Sequence, residues 1–272
     1  VLMYGIPEYR LPKAVVRNEI KKIEALGVNF VTNCLVGSPE SGVTVDSLFA
    51  DGFDAIFMGT GTALPQNLNV PGSDLRRVTQ STDFLHNVNA YIEGVLPREM
   101  VPLREGDRVA VIGAGNVAMD AARTARRLGA DVTVVYRRTQ ADMPANRSEY
   151  EEAVAEGVNF MWQTNTLEFL GNEKGRVRAL RLSGPEGERT ENFDRVFLAI
   201  GSRPAARIVS TTTGIETDEK GYVIVGERPM GMTTRRGVFA GGDVVHRPQT
   251  VVLAMKAAKE VAVGIAQYVD AI

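Results

Sequence analysis

The segment Gly113-Ala114-Gly115-Asn116-Val117-Ala118 constrains this chain more than any other. It follows a short β-rich run, Arg108 to Ile112, and opens a strong helix pattern, Met119 to Leu128, closed by Gly129. A second β-rich run, Asp131 to Tyr136, comes next. Strand, glycine turn, helix and strand in that order predict the βαβ unit of a Rossmann-type fold. Each small residue has a physical task in it. Gly113 permits the tight turn out of the strand. Gly115, without a Cβ, lets a diphosphate approach the backbone. Ala118 lets the helix lie close against the strand. The free amides at the helix start, backed by the helix dipole, favour negative charge. Gly113 through Ala118 are therefore the candidate contacts for a dinucleotide.

The end of the second strand distinguishes between dinucleotides. A site for NAD places a carboxylate there to hold the ribose 2′-hydroxyl. This chain has Tyr136-Arg137-Arg138 and no acid. A guanidinium matches a 2′-phosphate in charge and in bidentate geometry, so Arg137 and Arg138 point to NADPH.

The chain also repeats itself. Gly27-Val28-Asn29-Phe30 recurs as Gly157-Val158-Asn159-Phe160, each after an amphipathic helix. The first helix carries Val16, Ile20 and Ile23 on one face, and the second runs from about Arg147 to Glu156. Further on, Phe53 to Gly61 is matched by Phe193 to Gly201, each an apolar run that ends in a glycine turn. The second copy carries about ten extra residues, which the run Ser183-Gly184-Pro185-Glu186-Gly187 places in a hairpin. Laying the spacing from Gly113 to Gly157 onto Gly27 puts the first copy's glycine loop before Val1. The fold class expected is α/β, with two Rossmann-like three-layer domains, the first incomplete. The expected division is 1–103 with 225–272 against 104–224.

A further constellation lies near the carboxyl end. The apolar run Val238-Phe239-Ala240 ends in Gly241-Gly242-Asp243. The glycines let a ligand lie along the backbone, and Asp243 can accept hydrogen bonds from ribityl hydroxyls. A long helix is predicted from about Pro248 to Val269, with Val251, Met255, Ala258, Ala262, Ile265 and Val269 on its buried face. The start of that helix, Gln249-Thr250-Val251, would aim its amides at whatever lies beside Asp243. For a flavin that is the ring edge where reduction places negative charge.

In these residues taken together, the chain resembles the small (β) subunit of glutamate synthase and its relatives, in the two-dinucleotide-binding-domain flavoprotein class. Tyr4-Gly5-Ile6-Pro7-Glu8-Tyr9-Arg10-Leu11-Pro12-Lys13 is similar to the family's YGIPxFRLPK signature. Gly113 to Arg127 is similar to its NADPH loop and helix, and Tyr136-Arg137-Arg138 with Met143-Pro144-Ala145 to the segment that follows. Gly241-Gly242-Asp243 is similar to its second flavin motif, and Gly59-Thr60-Gly61 to the motif closing the first flavin half, with Gly201 as its counterpart in the second copy. The resemblance implies FAD in one domain and NADPH in the other, with hydride passing from nicotinamide to flavin. It implies electrons leaving through iron–sulfur clusters of the intact protein or its partner, to a glutamate synthase large subunit or a similar acceptor. Ferredoxin, sulfur compounds or pyrimidine reduction are alternative outlets, and a bare NADPH-binding module is a third reading. The family's cysteine-rich segment and its FAD glycine loop have no counterpart in this sequence, and Val1 in place of Met points to a cut or processed chain.

Composition sets limits. Lys and Arg total 31 against 33 Asp and Glu, so no basic excess favours nucleic acid or an anionic membrane. No apolar run is long enough to span a bilayer and no signal peptide is evident, so a cytoplasmic location is expected. The one cysteine, Cys34, excludes an internal disulfide and a cysteine-held cluster within these residues, and is expected in the core. His86 and His246 are expected at the surface or as caps, Asp120 and Glu149 as exposed helix carboxylates, and Met161 and Trp162 against the β-layer. Hydride transfer between two cofactors needs no protein acid or base, so no catalytic side chain and no metal ligand is assigned.

Overall fold

The computed structural model describes residues 1–37, 40, 42–248 and 250–272. In chain order the first elements are α1 (Lys13–Ala25), α2 (Val45–Ala50), β1 (Ile56–Met58), β2 (Leu64–Pro65), β3 (Val78–Gln80) and α3 (Ser81–Ile92). The βαβ unit follows as β4 (Arg108–Ile112), α4 (Asn116–Arg127) and β5 (Asp131–Val135), then α5 (Arg147–Ala155) and β6 (Asn159–Met161). Next come β7 (Asn165–Gly171), β8 (Val177–Gly184), β9 (Gly187–Asn192), β10 (Arg195–Leu198), β11 (Ser202–Arg203) and α6 (Arg207–Ser210). The chain closes with β12 (Val225–Glu227), β13 (Met230–Thr233), β14 (Val238–Ala240) and α7 (Val251–Val269).

Two compact units result, Val1–Val28 with Asn67–Ile200, and Asn29–Gln66 with Gly201–Ile272. These bounds differ from those expected from the repeat, and packing gives the reason. Phe84 of α3 stacks on Phe197 of β10 with ring centroids 4.2 Å apart, and Asn89 donates to the Tyr4 carbonyl at 2.9 Å. Residues 1–28 and 67–103 thus contribute to the first unit. Ile215 and Val223, expected with the βαβ half, join the core of the second.

The first unit holds a five-stranded parallel sheet in the order β3-β10-β4-β5-β6. Side chains alternate along each strand, so successive residues serve opposite faces. Val109, Val111, Val132, Val134 and Phe197 face the cluster shared with α3, α4 and α5. Ala110, Ile112, Val135, Val196 and Leu198 face a second cluster, shared with the antiparallel sheet β7-β8-β9. Burial on both faces explains why β4 and β10 read as continuous apolar runs. The expected hairpin is there: β8 turns into β9 with Gly184 opposite Gly187.

The second unit has the sheet β1-β14-β13-β12, in which only β1 and β14 are parallel, and the small antiparallel pair β2-β11. Among the described residues β1 pairs on one side alone, whereas its repeat counterpart β10 lies between β3 and β4. Helix α7 starts later than predicted, with Thr250 as N-cap, so Pro248 precedes it. Its buried face also differs. Val261 and Gly264 are buried, whereas Met255, Ala262 and Val269 are exposed. Gly264 sets the phase: a Cβ there would stand 2.2 Å from the Met230 carbonyl oxygen, so β13 and α7 meet at a residue without a side chain.

Candidate functional site

The expected glycine turn sits at the carboxyl end of β4. Gly113 has φ +122, its amide donates to the Val135 carbonyl at 3.0 Å, and an added Cβ would lie 2.3 Å from the Ala199 carbonyl oxygen. The protein's own packing requires this glycine. Gly115 is different. Its φ is −86 and an added Cβ would meet nothing within 4 Å. Nothing in the chain requires a glycine there, so the clearance is available to a ligand.

Gly115 is also the N-cap of α4 and gives it no side-chain acceptor. Helices α2 and α7 are capped by the hydroxyls of Thr44 and Thr250. At α4 the Ala118 and Met119 amides turn to the Gly115 carbonyl at 2.9 and 3.1 Å, and the Asn116 and Val117 amides have no partner within the helix. The loop is held from outside: Ala145 N–H donates to the Ala114 carbonyl at 3.1 Å, and Asn146 N–H to Asn116 Oδ1 at 2.9 Å. The Asn116 side chain is thus a brace within the protein. Ala118 is fully buried in the core beneath the loop, and Val117 is exposed.

Arg137 and Arg138 follow β5 after Tyr136, and both are exposed. The Arg138 carbonyl accepts from the Gln163 amide at 2.9 Å, which fixes the turn. Asp142 is engaged by the Thr139 hydroxyl at 2.7 Å, and the hydroxyl and amide of Thr139 hold its carboxyl below the usual range.

A charge network behind α4 escaped the sequence reading. Asp120 is buried, not exposed, and Arg10 Nη1 donates to both of its carboxylate oxygens at 2.8 and 2.9 Å. Glu149 is mostly buried, 2.8 Å from Arg10 Nη2 and 3.2 Å from Arg123 Nη1. Arg123, 4% exposed, also reaches Glu152 at 2.5 Å and Glu156 at 2.8 Å. The Tyr9 ring lies under the guanidiniums of Arg127 and Arg123, at 3.8 and 4.7 Å from its centroid, and burial pushes its phenol up to about 12. Lys13, almost wholly buried, donates to the carbonyls of Leu2, Ile6 and Leu11. The Tyr4–Lys13 signature therefore ties the amino-terminal chain to the helix that starts at the glycine loop. Removing one partner from such a buried network strands the others, at a cost of about 3–5 kcal/mol. Arg123→Ala is expected to lose about that much in urea unfolding, and a loss under 1 kcal/mol would show the network to be solvated.

Acid should act on the same network. Hydrogen bonds from Arg127 and Arg123 hold Glu156 below its ordinary value of 4.5, against the opposing effect of burial. A depressed carboxylate stabilises the fold above its unfolded value and loses that contribution as pH falls through the folded one. Between about pH 5 and pH 3, Glu156→Gln should therefore lose less thermal stability than the parent chain. Parallel acid limbs would contradict this.

In the second unit Gly242 and Asp243 form a short 3-10 turn after β14. They border a shallow cavity of about 170 Å³ with His246, Leu253, Ala254 and Lys256 from the loop and the first turns of α7. Thr250 uses its hydroxyl to accept from the Leu253 amide, and Val251 opens the helix. Gln249 lies outside the described residues. Gly59 and Thr60 are exposed after β1, and Gly61 leaves open space around its Cα. Gly201 accepts from the Gln66 amide at 2.9 Å beside the β2-β11 pair. Cys34 is exposed, not in the core, because no strand forms around it. His86 and His246 are exposed, and Trp162 stacks on Phe160 at the edge of the first core. Among the described residues no group of His, Cys, Asp and Glu is placed to hold a metal, and no helix is long and apolar enough to cross a membrane.

A parallel sheet, an open glycine turn at an uncapped helix start and a cationic pair after the next strand define a dinucleotide-binding α/β protein. The chain belongs to the pyridine nucleotide-disulphide oxidoreductase family, whose profile matches residues 8–258. It is 34% identical over 99% of its length to the glutamate synthase (NADPH) small chain of Halomonas elongata, covering 60% of that protein. It is 37% identical over 98% of its length to the NADP(+)-dependent formate dehydrogenase subunit beta of Moorella thermoacetica, covering 38% of it. The chain thus spans less than two thirds of these relatives. Mycobacterium tuberculosis FprA in complex with NADPH shares the fold, with a TM-score of 0.72 at 19% identity over 99% of this chain and 75% of that one. Lactococcus lactis thioredoxin reductase does so at 0.63 and 22%, over 80% of this chain and 67% of that one.

Proposed function

We propose that this chain oxidises NADPH with an FAD cofactor and forms the electron-input part of an assembly of glutamate synthase type. The observation that carries the reading is Gly115, a glycine with ordinary backbone angles and open space before it, at the one end of α4 where free amides gather. Ala114, Gly115, Asn116 and Val117 would present those amides to the NADPH diphosphate, with Gly113 and Ala118 shaping the turn beneath. Arg137 and Arg138 would hold the 2′-phosphate.

In the second unit Gly242, Asp243 and the α7 start at Thr250 and Val251 would face the flavin, with Gly59, Thr60, Gly61 and Gly201 at the ends of the matched turns. When bound, the two cofactors would supply the redox chemistry, the transfer of a hydride with both its electrons from NADPH to the flavin. The protein's part is to bind and orient them. Relatives that include both glutamate synthase small chains and a formate dehydrogenase subunit support an electron-transfer role. A glutamate synthase large subunit is the partner proposed, with iron–sulfur clusters outside the residues described, and a cytoplasmic setting suits it.

A second reading, an NADPH-binding module alone, is favoured by β1, which among the described residues pairs on one side alone, whereas its counterpart β10 has β4 with its glycine loop beside it. A flavin diphosphate would need an equivalent loop at that edge. The purified protein decides between them. Yellow flavin absorbance that survives gel filtration and bleaches with NADPH under nitrogen is expected. Colourless protein that still binds NADPH would leave the module, and protein that binds neither would remove both.

A further inference from the structure

A cavity of about 330 Å³ in the first unit is lined by Arg76, Arg77, Arg104, Arg176 and Arg195, together with Thr79. Its place in the fold separates it from the nucleotide loop. Arg195 begins β10, Arg77 immediately precedes β3, Arg176 immediately precedes β8, and Arg104 lies in the turn before β4. The pocket is thus at the amino edge of the sheet, and Gly113 is at the carboxyl edge.

The charge there is not balanced from within. Arg195, only 9% exposed, pairs with Asp107, which also accepts from the Arg104 amide. The Arg77 guanidinium donates to the Asp194 carbonyl at 3.5 Å, and the Asp107 carboxylate acts on it from nearby, against the effect of burial. Among the described residues Arg76, Arg77, Arg104 and Arg176 form no ion pair with a carboxylate. Two further features set the pocket apart. Arg76, exposed, and Arg176 are partners in an isolated parallel bridge, which sets two like charges on adjacent stretches of backbone. Arg77 adopts φ +74, a left-handed conformation that a long side chain rarely takes. Its backbone is held there because its carbonyl accepts from the Val196 amide at 3.0 Å. Burial, with Arg195, Arg176 and Arg104 nearby, pushes Arg77 below its usual value. A polyanion in the pocket would relieve the repulsion and the desolvation together.

From this geometry we infer a second anion site, built by Arg76, Arg77, Arg104, Arg176 and Arg195, for the di- or triphosphate group of a small molecule. A chain of two or three phosphates offers the guanidiniums more charge and more acceptor oxygens than one phosphate does. The site is independent of the NADPH reading, since it shares no residue with it.

Calorimetric titration of the whole chain with inorganic pyrophosphate at fixed ionic strength tests this. Measured in a Gly115→Ala background, which closes the diphosphate site proposed at the glycine loop, one saturable site is expected, weakened about tenfold or more by Arg77→Gly and by Arg176→Gln. Arg77→Gly is the informative variant, because glycine suits φ +74 and the melting temperature should hold or rise. ADP binding as tightly as pyrophosphate, with adenosine not binding, would show that the phosphates are read when carried by a nucleotide. Tighter binding of free pyrophosphate would favour the inorganic source. No saturable binding would overturn the proposal. So would binding untouched by Arg77→Gly, or binding weakened equally by the distant Arg147→Gln.

Discussion

Replacing Gly115 with alanine should leave the fold intact and weaken NADPH about tenfold or more, whereas Gly113→Ala should destabilise the first unit by about 3 kcal/mol or more. The two glycines stand two residues apart in one motif, yet the physics differs. At Gly115 the φ of −86 is open to any residue and nothing lies within 4 Å of an added Cβ. The fold should therefore change by less than about 1 kcal/mol. The methyl group would stand where a diphosphate must approach the amides. At Gly113 the φ of +122 is already hostile to a side chain, and the Cβ would lie inside the contact distance of the Ala199 carbonyl. The two nearest atoms are the Ala199 carbonyl, which is backbone and cannot swing aside as a flexible side-chain end would. Thermal unfolding and a fluorescence titration with NADPH separate the cases. Equal stability of the two variants, or full NADPH affinity in Gly115→Ala, would remove the loop from the site.

Changing both Arg137 and Arg138 to alanine should weaken NADPH far more than NADH. A charge-assisted contact to phosphate that becomes desolvated is worth about 1.5–3 kcal/mol, or roughly tenfold or more in affinity. NADH has no 2′-phosphate, so it should lose little. Both side chains are exposed in the free chain, so their removal should not unfold it. Equal losses for the two nucleotides would show that the arginines hold something common to both, such as the diphosphate or the adenine, and the NADPH preference would go.

The βαβ unit was legible because every local signal agreed: apolar strands, small residues at the turn and Gly129 at the helix end all specify one geometry. The hairpin at Pro185-Glu186 was legible for the same reason. What could not be read was anything decided by distant partners. Asp120 and Glu149 sit on helices as exposed carboxylates would, and partners distant in the chain, Arg10 for both and Arg123 for Glu149, bring them inside. Periodicity does not report such a pairing. The face of α7 was misplaced because the helix is apolar around much of its circumference, so several phases fit. The contact at Gly264 against Met230, invisible to spacing, selects one. Residue type alone places Cys34 inside, yet it is exposed. The arginine pocket was hidden because its members come from four separate stretches of chain, none of them notably basic.

The interleaving of the two units has a bearing on how the polypeptide acquires its shape during synthesis. Strand β10 lies between β3 and β4, and it is the last strand of that sheet to be made. Until Leu198 has left the ribosome, no strand links β3 to β4 and its neighbours, and the stretch from 29 to 66 must wait longer still for β14. Neither half can finish before the other has begun, so a nascent chain halted in the middle would expose apolar strand edges and be a target for chaperones.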